Sequence, residues 1–358
     1  KNLFLKKNHP KLPILYQLQK VFLALNEAEQ PIIKPSSFIK SIVNYSDLFQ
    51  SFRQEDAPEL IQFLLDNIHD IISKEVQFNI SGIPENNYDN MIINSYKIAK
   101  NFFEKQYSPI IPIFTNFTCN QTKCPCGYVT SNYEPFNILM LEIPNKDDIS
   151  LKDCFKNFTC LEQLDKNNSW KCEKCKKTTN AKRQIILWNL DEFGDYLIIH
   201  LKRFRFGLNT GKINNLVKFP LKNLDISPYS YQQQSKYDLY GIINHYGNLG
   251  GGHYTCFIKK QNNWYNCNDS SVNIVNENVL EETIWKSNSS KHMSLIKQYF
   301  RDTLNFFAER DNKSPKISDL HKSEWTLYEF KEWCKKQVMN RPMNMYGTSN
   351  TNSVNKRL

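Results

Sequence analysis

A histidine follows a run of three glycines in the second half of the chain. The run is Gly250–Gly252 and the histidine is His253. Glycines have no side chains, so another backbone can approach such a histidine closely. The nearby segment Trp264–Ser271 contains Asn268 and Asp269. If the two segments form a hairpin, Asn268 or Asp269 can hydrogen-bond one imidazole nitrogen and leave the other free as a general base.

A purely structural role for His253 stays open at this point, because a single histidine near a turn is more often structural than catalytic. A general base also needs a nucleophile to deprotonate, and none of the ten cysteines lies in a local context that would activate it. The possible metal ligands are Cys119, Cys124, Cys126, Cys172 and Cys175. Two cysteines lie in the predicted strands around His253, Cys256 and Cys267. The other three have no such context: Cys154, Cys160 and Cys334.

Two short-spaced cysteine pairs indicate a second kind of site. They are Cys124 with Cys126, and Cys172 with Cys175. Four thiolates on two turns are what a tetrahedral structural zinc site requires. The first pair is irregular because one residue separates its members, and Cys119 is near enough to substitute. We favour zinc over four thiols without a metal, and both over a disulfide.

Helical spacing of apolar residues predicts the elements of the first hundred residues. One helix is expected from Pro13 to about Asn26. A second is expected to begin near Asp56, where Pro58 and Glu59 suit the first turn of a helix.

Short apolar or alternating runs beyond about Pro112 predict mainly strands. From Met293 onward the apolar spacing becomes helical again, with a further helix expected from Ser318 to Val338. The polar end from Asn344 is predicted to be disordered. The expected strands are Phe136–Ile143, Gln184–Leu190, Tyr196–Phe204, Tyr237–His245, His253–Lys259 and Trp264–Asn268.

Composition narrows the classes of protein that this chain can represent. Its 358 residues include 40% hydrophobic residues, enough for a sizeable core, and its formal net charge is +10. The basic residues are interleaved with acidic ones, so a diffuse basic surface is favoured over a nucleic-acid groove. The cysteine pattern favours a reducing compartment, cytoplasm or nucleus. We expect no membrane span and no leader. A first residue other than Met, Lys1, predicts that the N-terminus is a cut.

Several ordered segments resemble the characteristic boxes of the ubiquitin-specific protease family. The matches run from about Leu12 to Val275, and together they are far more specific than any one alone. The matching segments are Gln54–Leu60 with Leu64–Asp66, Glu134–Phe136 with Leu139–Pro144, Trp170–Cys175, Leu197–Phe204, Tyr237–Tyr240, and Asn244–Tyr254.

This resemblance implies an α+β, papain-like cysteine protease fold that grips ubiquitin. It comprises a helical thumb at about residues 1–110, and antiparallel zinc-bearing fingers with a palm sheet at about 111–290. Residues 291–358 are expected to form a helical extension with a disordered end. The implied reaction is hydrolysis of the peptide or isopeptide bond after the C-terminal glycine of ubiquitin through a cysteine acyl-enzyme. Ubiquitin or ubiquitinated proteins are the implied partners, and nucleic acid is not expected.

Residue by residue, the resemblance assigns roles to the positions singled out above. His253 resembles the general base, Asn268 its orienting partner and Asp269 a supporting residue. Asp56 and Glu59 resemble acidic residues that face the ubiquitin tail, although acids at a helix N-terminus also suit the helix dipole without any substrate. Cys124, Cys126, Cys172 and Cys175 resemble the zinc ligands.

The chain departs from the family pattern in three places. Pro58 replaces the usual histidine, the first cysteine pair is irregular, and the cysteine box that should precede Leu12 is absent. We therefore expect an active deubiquitinase whose nucleophile lies upstream, and an inactive chain in its absence. Two alternatives stay open: a ubiquitin-binding scaffold without catalysis, and a zinc-containing nucleic-acid binder, which leaves the histidine box unexplained.

Overall fold

The structure is a computed structural model that describes most of the chain up to residue 295. The residues described are 6, 8–27, 33–49, 55–165, 168–190, 193–205, 211–231, 235–248, 251–260, 262–277 and 291–295. The predicted helix at 318–338 and the predicted disordered end lie outside them.

The chain divides into two compact units. Among the described residues, unit 1 contains those up to Ile83 together with Lys100–Ile110, and unit 2 contains Pro84–Ala99 and those from Ile111 onward. The expected division into thumb, fingers, palm and extension stays a prediction. Helices dominate the described part of unit 1, and strands dominate unit 2.

Helices occupy most of the described residues before residue 115. Two sequence-based expectations are confirmed, because the predicted helices at residues 13–26 and after Asp56 are both present. The α-helices in the described residues are α1 Leu12–Glu27, α2 Ser36–Val43, α3 Ala57–Ile72, α4 Asn87–Phe103, α5 Ile110–Phe114 and α6 Leu151–Phe158.

The core of unit 1 forms where apolar stripes of its helices meet. Ile14 of α1, Ile42 of α2 and Leu64 of α3 are buried together. Each apolar side chain removed from water in this way stabilises the fold by about 1.5–3 kcal/mol. The helical periodicity in the sequence therefore indicates the faces that pack.

Strands are the predominant secondary structure in the described part of unit 2. All of the strands predicted from the sequence coincide at least in part with observed ones. The strands in the described residues are β1 Asn116–Lys123, β2 Val129–Phe136, β3 Ile138–Glu142, β4 Ile149–Ser150, β5 Glu162–Gln163, β6 Trp170–Lys171, β7 Thr178–Thr179, β8 Lys182–Trp188, β9 Ile198–Lys202, β10 Phe204–Arg205, β11 Gly211–Lys212, β12 Val217–Lys218, β13 Leu224–Asp225, β14 Lys236–Tyr237, β15 Gly241–Asn248, β16 Gly251–Lys260, β17 Asn263–Asn268, β18 Ser271–Val275 and β19 Lys291–Leu295.

Two sheets organise these strands. The smaller has the order β2-β1-β8-β5, and all of its pairs are antiparallel. The larger has the order β18-β17-β16-β15-β19-β9-β3, and β3 pairs with β9 in parallel. The remaining strands form two-stranded sheets, which include β6 with β7 and β10 with β11.

One face of the seven-stranded sheet carries the main core of unit 2. Paired residues of neighbouring strands share a face. Leu139 of β3, Ile199 of β9, Ile242 of β15 and Phe257 of β16 are all buried in that core, and so is Trp264 of β17. The same face continues along β16 and β17 towards His253 and Asn268.

The predicted helical extension begins differently from what the spacing indicated. Residues 291–295 form β19, which pairs with β15 and β9 inside the large sheet. The helical prediction from Met293 onward is therefore wrong at its start. The run also alternates with a period of two, and the unpaired edges of β15 and β9 give it backbone partners, which local spacing does not reveal. Across the described residues, no helix combines the length and the apolar character that crossing a membrane requires.

Candidate functional site

The predicted hairpin between the histidine segment and the asparagine segment is present. Strands β16 and β17 are antiparallel, and their register pairs Cys256 with Cys267. His253 lies three residues before Cys256, and Asn268 lies one residue after Cys267. Because side chains alternate between faces, His253 and Asn268 both lie on the face opposite to these two cysteines.

The imidazole of His253 and the amide of Asn268 are in direct contact. His253 Nε2 lies 2.6 Å from Asn268 Oδ1. A carbonyl oxygen only accepts, so Nε2 carries the hydrogen and donates it. In the neutral ring this leaves Nδ1 with a free lone pair, and no described residue contacts Nδ1 within hydrogen-bond distance. The His253 side chain is 47% exposed, so the ring is not buried in the interior.

Asp269 occupies the turn that follows Asn268. Asn268 pairs with Ser271, so Asp269 and Ser270 form a two-residue turn, and Asp269 has a φ of 50°. Its carboxylate Oδ2 is 3.8 Å from His253 Nε2, too long for a hydrogen bond. Of the two residues considered for orienting the ring, Asn268 therefore makes the bond. Asp269 adds an exposed negative charge nearby.

The glycines before His253 allow a tight end to the β15–β16 hairpin. Gly247 has a φ of 141°, and a Cβ there would overlap with the backbone of Gly251 and Gly252. A Cβ on Gly252 would overlap with the ring of His245 and the carbonyl oxygen of Tyr246. The absence of side chains at these positions is thus a packing requirement as well as a source of access to His253.

The first cysteine pair lies in the turn between β1 and β2. The turn is closed by bonds from the amide of Cys124 to the carbonyl of Tyr128, 2.8 Å, and from the amide of Gly127 to the carbonyl of Cys124, 2.9 Å. Gly127, directly after Cys126, has a φ of 84°. A backbone amide of Cys126, together with side-chain bonds from Cys126 and Thr179, lowers the pKa of Cys124 to about 6.

The second pair lies in a similar turn between β6 and β7. The amide of Cys172 donates to Lys177, and the amide of Lys176 donates to Cys172, each at 2.9 Å. Lys176, directly after Cys175, has a φ of 60°. In both turns a left-handed residue after the second cysteine reverses the chain and directs two thiols towards one point.

The two turns bring the four cysteine sulfurs together within 4.8 Å of one another. The Cys124–Cys175 and Cys126–Cys172 sulfur distances are both 3.8 Å. Tetrahedral ligation with bonds of about 2.3 Å requires sulfurs about 3.8 Å apart, whereas a disulfide requires about 2.05 Å. The four cysteines could therefore hold a metal ion and are not paired as disulfides.

Four of the five remaining described cysteines do not offer a nucleophile to His253, and the fifth, Cys160, is exposed after α6. Cys119 is buried on β1, and burial raises the pKa of its thiol to about 11, so it neither joins the cluster nor forms a thiolate readily. Cys154 is also buried. Cys256 and Cys267 lie on the face opposite to His253.

The description of the family whose model matches this chain is "Ubiquitin carboxyl-terminal hydrolase", and the match covers residues 2–299. The chain belongs to this family. Similar curated proteins include ubiquitin carboxyl-terminal hydrolase 2 of Gallus gallus, 30% identical over 258 residues that cover 67% of this chain and 69% of that protein. Hydrolase 3 of Mus musculus is 28% identical over 297 residues, covering 76% of this chain and 55% of that protein. The matches therefore span only part of these relatives.

Solved structures with the same fold include the SAGA Ubp8/Sgf11/Sus1/Sgf73 DUB module. The form bound to monoubiquitin has a TM-score of 0.59 and 23% identity, and covers 82% of this chain and 61% of that chain. The form bound to ubiquitin aldehyde has the same TM-score and 22% identity. This likeness confirms the predicted mixed α+β fold of ubiquitin-specific proteases.

The two acidic residues that resemble the tail-binding positions of the ubiquitin carboxyl-terminal hydrolase family lie at the start of α3. Asp56 is the N-cap residue and Glu59 is in the first turn, with Pro58 buried beside them. Partial burial, with the negative charges of Asp56 and Glu55, raises the pKa of Glu59. Both residues lie in unit 1, and their role towards a substrate stays a prediction.

Two functional candidates of this family member escaped the sequence analysis. His245 is buried on β15, and Lys212 of β11 donates to its ring. The segment Asn244–Gly247 belongs to the motif that resembles the histidine box, but nothing local distinguished His245 from a surface histidine. Lys212 is 33 residues away in sequence, so only the folded chain brings the two together.

Proposed function

We propose that this chain is most of the catalytic domain of a deubiquitinase. It would hydrolyse the peptide or isopeptide bond after the C-terminal glycine of ubiquitin, with a cysteine nucleophile from a segment preceding Lys1. The observation that carries the proposal is the 2.6 Å bond between His253 Nε2 and Asn268 Oδ1. That bond leaves Nδ1 of an exposed ring available to a thiol.

In the first step of the proposed reaction, His253 Nδ1 accepts the proton of the cysteine thiol. The thiolate sulfur attacks the carbonyl carbon of the terminal glycine, and a carbon–sulfur bond forms. The carbon–nitrogen bond then breaks, and the lysine amine leaves with the proton from Nδ1. Asn268 holds the ring throughout, since Nε2–H keeps donating to its amide oxygen.

In the second step, water replaces the amine at the acyl-enzyme. Nδ1 takes a proton from the water as its oxygen attacks the thioester carbon. The carbon–sulfur bond breaks as Nδ1 returns its proton to sulfur, and the released carboxylic acid of ubiquitin ionises by losing its own proton to solvent. A neutral amide at position 268 orients the imidazole without adding a charge that would hold the proton on it.

The four-cysteine cluster is proposed to hold structural zinc. Four thiolates leave no open coordination position, so the ion would supply a crosslink between the two turns rather than chemistry on the substrate. Cys124 and Cys126 would bind from the β1–β2 turn, and Cys172 and Cys175 from the β6–β7 turn. The 3.8 Å sulfur distances support this assignment.

Asp56 and Glu59 are proposed to bind the basic tail of ubiquitin. Both carry acidic groups at the start of α3, and Glu59 is exposed. Exposed ion pairs of this kind contribute up to about 1 kcal/mol each, so they would adjust substrate affinity rather than catalysis.

The test compares two proteins with a ubiquitin that carries a fluorogenic C-terminal amide. One is this chain, and the other is the chain extended upstream to include the cysteine box. We expect turnover only from the extended protein, and a decrease in kcat of about 10³-fold in its His253→Ala variant. His9→Ala serves as the control, because that ring only accepts a local bond from the Lys11 amide.

Undiminished turnover by His253→Ala would contradict the proposal. Turnover by this chain alone would contradict the upstream location of the nucleophile. If the extended protein contains the cysteine box, binds ubiquitin and shows no turnover, the scaffold alternative replaces the enzymatic one. Binding to DNA or RNA that is stronger than binding to ubiquitin and falls steeply with salt would favour the nucleic-acid alternative.

A further inference from the structure

The ammonium group of Lys212 lies at the end of the hairpin that carries His253. Its Nζ is 3.1 Å from His245 Nδ1, 3.0 Å from the His245 carbonyl oxygen and 3.1 Å from the Gly247 carbonyl oxygen. An ammonium group has three N–H donors and no acceptor. Three acceptors from one strand end therefore converge on a single cation.

A buried arginine, Arg203, holds the chain next to Lys212. Arg203 Nη1 donates to the carbonyl oxygens of Ile213, 3.0 Å, and Asn215, 2.7 Å. The Ile213 amide returns a 2.7 Å bond to the Arg203 carbonyl. Burial lowers the pKa of Arg203 to about 10, which still leaves it charged at neutral pH. These bonds hold the residues that directly follow Lys212 and so anchor the end of β11.

The ring of His245 is held by aromatic contacts as well as by Lys212. The Phe204 ring meets it edge to face at 5.8 Å, and the Tyr254 ring lies 4.7 Å away. Since Lys212 only donates, Nδ1 of His245 is an acceptor and the neutral ring carries its hydrogen on Nε2. The ring then fills the space where a side chain of Gly252 would lie.

These contacts lead directly to the residue before His253. Lys212 fixes the Gly247 carbonyl on β15, and Gly247 pairs with Gly252 on β16. Lys212 also contacts the His245 ring, which occupies the place of a Gly252 side chain. Two chains of contacts thus connect Gly252 to one ammonium group.

We infer that Lys212 is a positioning residue for His253, which acts by fixing the β15–β16 hairpin end through Gly247 and His245. The inference rests on the proposed function for its effect on catalysis. Its effect on the geometry of His253 is independent of that function. Lys212 acts on His253 indirectly, through its bonds to His245 and Gly247.

The decisive variant is Lys212→Met, which keeps the length of the side chain and removes its donors. In the extended protein we expect kcat to fall about ten-fold or more with KM within about two-fold, because small displacements of a base cost rate rather than binding. Lys212→Arg keeps the charge and several donors, so we expect intermediate kcat. Lys259→Met is the matched control, since this lysine lies on β16 over the Trp264 ring at 5.9 Å.

A second measurement separates this inference from the proposed function. Proton–nitrogen correlation spectra of the histidine rings, recorded on the 358-residue chain, report the tautomer of His253 without any turnover. We expect Lys212→Met to lower the population of the Nε2–H tautomer of His253 and Lys259→Met to leave that population unchanged. If Lys212→Met does not fold, the same spectra and kinetics of Lys212→Arg decide. Unchanged His253 spectra with unchanged kcat in a folded Lys212 variant would overturn the inference, even where His253→Ala abolishes activity.

Discussion

The cysteine cluster lies at the ends of two antiparallel strand pairs, and His253 lies near the end of the β15–β16 hairpin, but different contacts hold the two sites in place. Each cysteine turn is closed by its own backbone bonds, and all four sulfurs face one another. The end of the β15–β16 hairpin instead depends on side chains, with Lys212 of β11 and His245 of β15 packed against its glycines. The His253 imidazole also faces outward with one nitrogen open. A closed site stabilises a fold, whereas an open site needs a partner to react.

The largest effect is expected from removing one ligand of the closed site. Cys172→Ser should lower metal affinity by more than about 100-fold, since even supporting contacts around a ligand contribute up to about that factor. Metal content after dialysis and proteolysis of the β6–β7 turn measure the change. The exposed Cys160→Ser is the matched control. The ring spectrum of His253 should stay the same, and a changed spectrum would show that the two sites are coupled.

The second largest effect is expected from adding one methyl group at Gly252, next to His253. Gly252→Ala places a Cβ against the His245 ring and the Tyr246 carbonyl oxygen, so the hairpin end must shift. We expect kcat of the extended protein to fall about 100-fold.

Gly127→Ala provides the counterpart in the cysteine turn. A Cβ there meets nothing within 4 Å, and only the φ of 84° opposes it. The expected cost is about 1 kcal/mol of stability, with kcat unchanged. Equal kinetic effects of the two alanines would remove the contrast between the regions.

A smaller effect is expected from releasing the His253 ring. Asn268→Ala removes the acceptor of Nε2–H and lets the ring rotate and change tautomer, so kcat should fall roughly 30-fold, part of the contribution of a general base. Asn273→Ala on β18 is the control, because its amide only donates to Ser271 nearby. Similar kinetics for the two variants would mean that Asn268 does not orient the base.

The smallest effect is expected at the helix that resembles the tail-binding element. Glu59→Gln should raise KM for the ubiquitin substrate roughly two- to five-fold, in line with one exposed ion pair.

The same variant should change how stability depends on pH. Because the pKa of Glu59 is raised in the folded state, its carboxyl group binds a proton more tightly there, and the stability of the fold decreases as pH rises through the range in which the group titrates. Glu59→Gln should therefore be slightly more stable than the parent at pH 7 and equal to it below pH of about 4. Thermal unfolding at both pH values measures this, with Glu75→Gln as control.

Much of the candidate site was accessible from the sequence because it depends on local geometry. Paired cysteines at short spacing are directed to one point by their own turns. The contact between His253 and Asn268 needs only a hairpin between two adjacent strand-like segments. The members of each cysteine pair, and the two strand-like segments of the hairpin, lie close enough in sequence for periodicity and turn chemistry to place them. The meeting of the two cysteine turns, which are 46 residues apart from Cys126 to Cys172, depends on the folded chain.

Other features could not be predicted, because they depend on strands and side chains that meet only after the chain folds. Residues 291–295 were predicted to begin a helix, yet they form a strand between β15 and β9. Their apolar spacing suits either structure, and the pairing partners decide between them.

The sequence by itself indicated the family, the cysteine set and a hairpin that brings Asn268 or Asp269 to His253, because these features depend on residue types at short spacing. The structure decided that Asn268 makes the bond. Only the tertiary structure decided that β19 completes the large sheet and that Lys212 meets His245 and Gly247. An ammonium donor and a carbonyl acceptor carry no sequence signal of their partner. Their pairing follows from the packing of β10 and β11 against the end of β15, and that packing is a property of the whole of unit 2.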